Sequence, residues 1–268
     1  MGLFFILNLR RNNMHKDIEY KFPFTRENEN QFVNILGYYQ AISCIENKYG
    51  KTLLDIGSND GYITNILSKY FEKTVDIEPS KEQYEISKKK YKNIDFYNNF
   101  IENFESNELF DTISILAVYN CVEERENFLK SAIKFLKKDG VVIIQVSNAD
   151  AVNKRIAEYM GTLKNRYELS KYNAEVGGVK KLYNIYDLKK EIESFGLKVI
   201  KTGGIMYKPF TDVQMNWFIE NGLWNSGYGW GREGVEKDWC SEFCKALYEY
   251  GKTCPEECAV IYVVVKLK

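Results

Sequence analysis

The sequence has 268 residues, of which 45% are hydrophobic and 15% aromatic, enough for one globular domain of generous size with a buried core. Its 37 Lys and Arg residues balance its 37 Asp and Glu residues. No net field therefore gathers nucleic acid or an anionic membrane surface, and we expect neither as a partner.

The first residues do not have the pattern of a targeting segment. The apolar run at residues 3–7 is too short to span a bilayer, and Arg10 and Arg11 follow it, whereas the charges of a signal peptide precede its apolar run. We therefore expect a cytoplasmic protein that starts at Met1 or at Met14.

The six cysteines should be reduced thiols, because no export signal is present. Two pairs near the end of the chain repeat an interval of four residues: Cys240, Cys244, Cys254 and Cys258. A four-thiolate zinc site is the alternative to ordinary core packing, but the spacing matches no common zinc module. We expect no metal.

A helix is predicted at residues 27–47, after an N-terminal arm. Its apolar residues recur on one side and are Phe32, Ile35, Leu36 and Tyr39. We expect residues 1–50 to form an arm and a helix that covers the carboxyl edge of a sheet.

Residues 51–146 alternate short apolar runs with amphipathic stretches, which is typical of a parallel sheet built from βαβ units. The predicted strands are at 52–56, 74–78, 94–97, 110–116 and 140–146, and the predicted helices are at 62–71, 81–91 and 124–136. Right-handed crossovers then place helices on both faces of the sheet.

The next part of the chain, residues 147–183, is too long for a simple αβ connection and too polar for a core, so it is predicted to be a helical lid. Residues 184–268 complete the core. Asn184 caps a helix that Gly196 ends, and a strand follows at 197–202.

A second insertion is predicted at 203–257, before a β-branched run at 259–267 that suits a buried final strand. A last strand that enters antiparallel permits the long connection before it. The predicted fold is therefore α/β, a Rossmann-like, doubly wound sheet of seven strands with the last strand antiparallel and with helical lid insertions.

The most informative segment is Leu53-Leu54-Asp55-Ile56-Gly57-Ser58-Asn59-Asp60-Gly61, a buried strand followed by a turn. In a doubly wound sheet this turn binds the ligand, and its glycines let the backbone approach closely. It is not a dinucleotide-binding loop, because Asn59 replaces the middle glycine. Asp55 and Asp60 would repel a pyrophosphate, whereas they suit S-adenosylmethionine, which has no phosphate and carries a sulfonium and an ammonium.

A second acidic position supports this interpretation. Glu78 ends the second strand, where a carboxylate can accept both ribose hydroxyls of a bound nucleoside. Asp76 is the rival, but its side chain alternates to the face opposite to that of Ile77. We favour Glu78.

These segments resemble the class I S-adenosylmethionine-dependent methyltransferases. Residues 53–61 are similar to their first motif and residues 75–80 to their second, and the similarity continues through the strand at 110–113 and the turn at 136–140. The resemblance implies transfer of a methyl group from S-adenosylmethionine to a small-molecule acceptor, with S-adenosylhomocysteine as the product.

Three later segments, at 178–183, 204–209 and 255–263, are similar to a bacterial branch of that family with a long lid. That branch is associated with the modification of sugars and cell-surface polysaccharides. The resemblance therefore implies an acceptor of that kind.

The resemblance also implies a set of cofactor-binding residues. Residues 57–61 would hold the methionine part, Glu78 the ribose, residues 100–102 the adenine, and residues 116–118 the amino group and sulfonium. The full set is Asp55, Gly57, Ser58, Asn59, Gly61, Tyr62, Glu78, Pro79, Phe100, Ile101, Glu102, Leu116, Ala117 and Val118. Phe100 replaces the usual Asp of the third motif, which leaves Glu102 or Asn99 for the adenine amine.

The candidate acceptor-site residues are Tyr119, Lys180, Tyr183 and Lys208. Tyr119 directly follows the fourth strand, where the methyl donor and the acceptor must meet, and its alternative role is packing. The other three lie in segments that resemble the family's lid, and for either lysine a solvated surface position is the alternative.

The acceptor chemistry is inferred from a missing base. Relatives place histidine after the fourth strand and in the lid, where Cys121 and Val179 stand here, and the sole histidine, His15, lies outside the core. A neutral hydroxyl would need a base near neutrality. Tyr119 or Tyr183 could serve only with a strongly perturbed pKa.

We therefore predict an acceptor that is already ionised or carries a free lone pair. A carboxylate, a phosphoryl or phosphoramidate oxygen and an amine all qualify, and Lys180 or Lys208 would orient an anion. Two other functions stay open: a non-catalytic S-adenosylmethionine-binding subunit, and a nucleotide-sugar oxidoreductase or epimerase, which would need a pyrophosphate loop.

Overall fold

The computed structural model describes residues 31–169, 178–221 and 239–268. Their centre is a seven-stranded sheet with the strand order β3-β2-β1-β4-β5-β7-β6. The strands are β1 (Thr52–Ile56), β2 (Lys73–Ile77), β3 (Asp95–Tyr97), β4 (Phe110–Leu116), β5 (Leu136–Ser147), β6 (Lys198–Tyr207) and β7 (Cys258–Lys266). Strand β7 is antiparallel to β5 and β6, and the other pairs are parallel. The predicted fold class is confirmed.

Eight helices are described around the sheet within those residues. They are α1 (Gln31–Asn47), α2 (Tyr62–Ser68), α3 (Lys81–Lys90), α4 (Arg125–Ile133), α5 (Val152–Tyr159), α6 (Ile185–Ser194), α7 (Asp212–Asn221) and α8 (Trp239–Gly251). In the part of the chain that is described, none of the helices has the length and apolar character needed to cross a membrane.

Local sequence signals explain several of these elements. Leu53, Leu54 and Ile56 of β1 are all buried, as expected for a central parallel strand covered on both faces. Ser80 caps α3 by accepting a hydrogen bond from the Gln83 N–H. Asn184 caps α6 by accepting from the Asp187 N–H, as predicted.

Several predicted boundaries are wrong. Helix α4 ends at Ile133, and β5 already begins at Leu136, which pairs with Phe110 before the register shifts. The prediction continued the helix to residue 136 and began the strand at residue 140. Strand β6 extends to Tyr207, so the first residues of the predicted insertion at 203–257 belong to the sheet.

Helix α1 crosses the sheet and is not confined to its carboxyl edge. Phe32, near its start, lies beside Lys208 at that edge. Gln40 donates a side-chain hydrogen bond to Gln145 in β5, and Tyr49, just after the helix, donates its N–H to Thr112 near the start of β4. The predicted apolar side is confirmed, since Phe32, Leu36 and Tyr39 are buried.

The sheet gathers the predicted site at one edge. The strand order reverses between β1 and β4, because the chain builds the sheet outwards from β1 through β2 to β3 on one side and from β4 to β5 on the other. In open α/β sheets, ligands bind outside the carboxyl ends of the strands at such a point. The loop 57–61 follows β1, Glu78 follows β2, and Tyr119 follows β4 closely. Helix α5 follows β5, and Lys208 follows β6.

Candidate functional site

The loop after β1 is shaped by residues with positive φ. Gly57, Asn59 and Gly61 have φ values of 81°, 57° and 72°, a region that glycine and, less readily, asparagine adopt. Gly57 has a second constraint, because a Cβ there would lie 2.6 Å from Cγ2 of Val118. Residue 57 must therefore be glycine for the ends of β1 and β4 to approach this closely.

Glu78 faces this loop and is completely buried. Its Oε2 accepts a hydrogen bond from the Asn59 N–H at 2.7 Å, and its Oε1 accepts from the Ser80 N–H at 2.7 Å. Burial raises the pKa of Glu78 to about 8, although the two N–H donors oppose that shift. The carboxyl group thus connects the first loop with the start of α3.

Two further carboxyl groups lie behind the loop. Asp55 and Asp76 are paired in register on β1 and β2, and both are buried. Asp55 accepts hydrogen bonds of 2.5 Å from the hydroxyls of Thr64 and Ser114, whereas neither oxygen of Asp76 has a hydrogen-bond partner. Burial raises the pKa of both groups.

The residues predicted to border the adenine form a separate wall. Phe100 is half-buried, Ile101 is buried, and Glu102 is exposed. The Asn99 side chain accepts from the Phe100 N–H and donates to the Asn103 carbonyl, so these contacts occupy its amide. Asn99 and Glu102 were the two alternatives for binding the adenine amine. Because the Asn99 amide already makes these two hydrogen bonds, Glu102 is the favoured one.

The end of β4 carries an unusual backbone conformation. Ala117 has φ 61°, and its N–H donates to the Gln145 carbonyl at 2.8 Å. Such a conformation costs a non-glycine residue roughly 1–3 kcal/mol, and strain of this kind clusters at ligand sites. Leu116, Ala117 and Val118 are buried next to the first loop.

Tyr119 and Tyr183 are brought together, with ring centroids 5.9 Å apart. Both hydroxyls donate to Oε1 of Glu191 on α6, at 2.9 Å and 2.5 Å, and Arg125 and Lys181 also pair with that carboxylate. Burial raises the pKa of both phenols far above the ordinary value, and the negative charge of Glu191 adds to the rise.

The predicted lysines differ in their surroundings. Lys180 is largely exposed and pairs with Glu123 at 3.1 Å. Lys208 is buried at the carboxyl end of β6 and donates to Asp212. Burial, and then the ammonium of Lys154 on α5, lower the pKa of Lys208. The structure thus brings Lys208 near a lysine that the sequence analysis did not select.

Residues 30–202 match the family described as a methyltransferase domain. The chain belongs to this methyltransferase family.

Several proteins resemble it over half of their length or more. The chain is 21% identical over 196 residues to the ubiquinone biosynthesis O-methyltransferase of Rickettsia canadensis, a match that covers 69% of this chain and 79% of the relative. It is 23% identical over 136 residues to the malonyl-[acyl-carrier protein] O-methyltransferase of Bacillus cereus, covering 48% and 51%. The structure of the plantazolicin methyltransferase BpumL in complex with SAH has a similar fold, with a TM-score of 0.54, 16% identity, and coverage of 90% and 87%.

The methyltransferase uses S-adenosylmethionine as its cofactor, and the first loop fits that molecule. The buried side-chain atoms without hydrogen-bond partners at the loop are Oδ1 of Asn59 and both oxygens of Asp76, all of them acceptors. A ligand that satisfies them must bring donors or positive charge. S-adenosylmethionine brings ribose hydroxyls, an ammonium and a sulfonium.

Each part of the cofactor would be held by a different segment of the methyltransferase. The backbone of 57–61 would hold the methionine part, and Glu78 would accept from the ribose with its remaining lone pairs. Asn98 ties the neighbouring loops together by donating to the carbonyls of Glu78 and Pro79. Tyr62, beside Asp60, begins α2 at the loop's end. These individual assignments stay predictions.

Three residues of the methyltransferase were missed or set aside at the level of sequence. Asp76 was set aside in favour of Glu78, because its side chain alternates to the face opposite to that of Ile77, yet it is the carboxyl group in register with Asp55. Lys154 is one of 37 basic residues, and nothing in its local sequence distinguishes it. Glu191 lies 72 residues from Tyr119, and only the folded chain shows that they interact.

Among the residues that are described, no group of three or more His, Cys, Asp or Glu side chains could hold a metal ion. Cys244, Cys254 and Cys258 take part in no disulfide bond within the described residues, and the side chain of Cys240 lies outside those residues. His15 also lies outside them, as do parts of both predicted insertions, at 170–177 and 222–238.

Proposed function

We propose that this methyltransferase methylates a small acceptor that presents an ionised oxygen, such as a carboxylate or a phosphoryl or phosphoramidate group, to Lys208 and Lys154. The observation that carries the proposal is the pair of ammonium groups at the carboxyl ends of β5 and β6. Lys208 is 8% exposed, and the side-chain ammonium of Lys154 makes no hydrogen bond or ion pair with any described residue.

Charge decides between the acceptor classes. Burial lowers the pKa of Lys154 to about 8, which means that its ammonium is poorly compensated by its surroundings. An anionic group would stabilise both lysines, whereas a cationic amine would be repelled. Lys208 is favoured over Lys180 for this role, because Lys180 is largely exposed and paired with Glu123.

The two tyrosines support the same proposal, because neither is suited to act as a general base. Tyr119 and Tyr183 donate to Glu191, and their raised pKa values make them poor bases near neutrality. No histidine lies among the described residues. An acceptor that arrives ionised needs no base, so the site would be complete without one.

The work left to the protein is alignment and exclusion of water. S-adenosylmethionine supplies a methyl carbon that its sulfonium already activates. Lys208 and Lys154 would orient the acceptor anion, and the buried end of β4 would set its distance from the cofactor. The malonyl group in the name of the Bacillus cereus relative carries a carboxylate, which agrees with this chemistry. The sugar or polysaccharide context stays a prediction from the sequence resemblance.

The acceptor class can be tested with matched compounds. Formation of S-adenosylhomocysteine is measured with a panel of small molecules that share a carbon skeleton and differ in bearing a carboxylate, a phosphate, an amine or a neutral hydroxyl. We expect turnover in the carboxylate or phosphate series. Turnover confined to the neutral hydroxyls would contradict the proposal, and turnover confined to the amines would overturn the role of the two lysines.

The pH dependence of the rate tests the absence of a base. At saturating donor and acceptor, kcat should stay constant from about pH 6.5 to 9, because no protein group has to lose a proton. Tyr119→Phe should keep kcat within a few-fold of the wild type, with some loss of stability, because the variant loses a hydrogen bond to Glu191. If kcat instead rises with one ionisation, and Tyr119→Phe removes that rise with about 100-fold of the rate, the tyrosine is a general base.

A further inference from the structure

Asp76 is a buried carboxyl group without a partner. It is 0% exposed, and neither of its oxygens accepts a hydrogen bond. A buried ionised carboxylate without hydrogen bonds is strongly disfavoured, and such a group holds its proton instead. The free protein therefore contains a neutral carboxyl group directly behind the cofactor loop.

The groups that surround Asp76 increase this preference. Asp55 on β1 and Glu78 at the end of β2 act on it through their charges, and Asp60 on the loop acts on Glu78. From α1, the Cys44 thiol faces Asp55. None of the three buried carboxyl groups forms an ion pair with a lysine or arginine of the described residues.

The neutral groups near Asp76 do not compensate for the missing cation. The hydroxyls of Ser58 on the loop and Thr64 on α2 lie close to Asp76 and oppose part of the rise in its pKa, but neither has the geometry of a hydrogen bond to its oxygens. Thr64 donates to Asp55 instead. Burial and the neighbouring carboxyl groups together raise the pKa of Asp76 well above its ordinary value. The unpaired Oδ1 of Asn59 on the loop shows independently that acceptors exceed donors here.

The methyl donor and its product differ in charge at this site. S-adenosylmethionine has a sulfonium, an ammonium and a carboxylate, and so a net charge of plus one. S-adenosylhomocysteine has lost the sulfonium charge and is neutral overall. The donor therefore favours an ionised carboxylate nearby, and the product does so less. Ribose binding at Glu78 is common to both, so it does not distinguish them.

We propose that Asp76 is a residue that discriminates the donor from the product, whose carboxyl group carries a proton in the free enzyme and releases it to solvent when S-adenosylmethionine binds. After methyl transfer the positive charge is gone, Asp76 takes up a proton again, and the product binds less tightly. This role concerns the cofactor alone and does not depend on which acceptor the enzyme uses.

Calorimetry measures this proton directly. Each ligand is titrated into the full-length protein at about pH 7.5 in phosphate and in Tris, which differ in ionisation enthalpy, so the difference in heat gives the number of protons released. S-adenosylmethionine should release more protons than S-adenosylhomocysteine, by about one half to one, and its affinity should rise more steeply with pH. Equal proton release for the two ligands in the wild type would overturn the proposal, whatever the variants do.

Asp76→Asn keeps the shape of the side chain and removes the ionisation. In this variant the two ligands should release equal numbers of protons. The preference for donor over product at about pH 8.5 should fall about tenfold, because a difference of one proton released changes the ratio of the two affinities tenfold per pH unit. Asp95→Asn, an exposed position on the adjacent β3, should behave as the wild type.

Two results would count against Asp76 in particular. One is an unchanged difference in proton release in a folded Asp76→Asn protein, and the other is a loss of that difference in Asp95→Asn as well. Absence of binding by either ligand to folded wild-type protein would instead contradict the cofactor assignment. The wild-type comparison of the two ligands needs no variant, so it tests the proposal even if Asp76→Asn does not fold.

Discussion

The carboxyl group of Glu78 already accepts hydrogen bonds before any ligand binds. Each of its oxygens accepts one main-chain hydrogen bond, which leaves further lone pairs for two ribose hydroxyls. Hydroxyl donors favour the ionised form, whereas burial raises the pKa of this carboxyl group to about 8. Ligand binding and deprotonation of Glu78 are therefore coupled for donor and product alike.

Glu78→Ala should weaken binding of S-adenosylhomocysteine by roughly 1.5–3 kcal/mol at about pH 8.5, because charge-assisted hydrogen bonds to the ribose are lost. Since the folded-state pKa is raised, the carboxyl group of the wild type is increasingly protonated below about pH 8. The difference between wild type and variant should shrink at pH 6.5 accordingly. Calorimetry measures both values.

Glu85→Ala on the exposed face of α3 is the matched control and should not change the affinity. An unchanged affinity in a folded Glu78→Ala protein would remove Glu78 from the ribose site and leave Asp76 as the candidate acidic residue.

At the scale of elements, one side chain organises the amino ends of three strands. Asp111 on β4 accepts from the N–H groups of Lys51 and Thr52 and from the Thr52 hydroxyl at the start of β1, and it pairs with Lys137 on β5. Desolvation opposes the shift, but these hydrogen bonds lower the pKa of Asp111 to about 2. The register of the cofactor strand thus depends on a residue at the opposite end of the sheet.

Asp111→Ala should destabilise the protein by about 1–3 kcal/mol at pH 7, because two main-chain donors at the start of β1 lose their acceptor. The folded-state pKa is depressed, so this contribution is complete above the unfolded pKa and is lost as pH falls from about 4 to about 2. Denaturant unfolding at a series of pH values measures the difference. Asp139→Ala, an exposed position on β5, should cost little, and equal losses for the two variants would contradict this role.

Element types followed from the sequence more readily than element boundaries did. The alternation of buried runs predicts all seven strands, and β4 has the bounds that its apolar run predicts. The predicted strand ends at residue 202, before Gly203-Gly204, yet both glycines lie inside β6. A Cβ at Gly203 would lie 2.4 Å from the Tyr262 ring, and one at Gly204 would lie 2.5 Å from the Pro255 carbonyl oxygen. These glycines permit close packing, and a sequence pattern does not distinguish that role from a turn.

On the scale of the whole molecule, the site depends on contacts between distant parts of the chain. The cofactor loop was predictable because its residues are contiguous and their spacing is specific. Tyr119 and Glu191 are 72 residues apart, and Gln40 and Gln145 are 105 apart, so no local pattern records either contact. The same holds for Lys154 and Lys208, which follow β5 and β6, the strands on either side of β7, and come into range of each other only in the folded chain.

This arrangement predicts opposite effects of one substitution on stability and on function. The folded-state pKa of Lys154 is lowered to about 8, so below that pH its charged ammonium destabilises the fold, and stability recovers as pH rises from about 8 towards the unfolded value. Lys154→Gln should therefore raise Tm at pH 7, and the gain should disappear near pH 10. With an anionic acceptor, the variant should raise KM about tenfold and leave kcat within about twofold, because ground-state binding is lost while the cofactor site is intact. Lys164→Gln, at an exposed position of the same segment, should change neither quantity. Thermal unfolding and steady-state kinetics measure the two effects separately. A stabilised variant with an unchanged KM would place the acceptor away from Lys154, and a destabilised variant would mean that the ammonium has a partner that stabilises it.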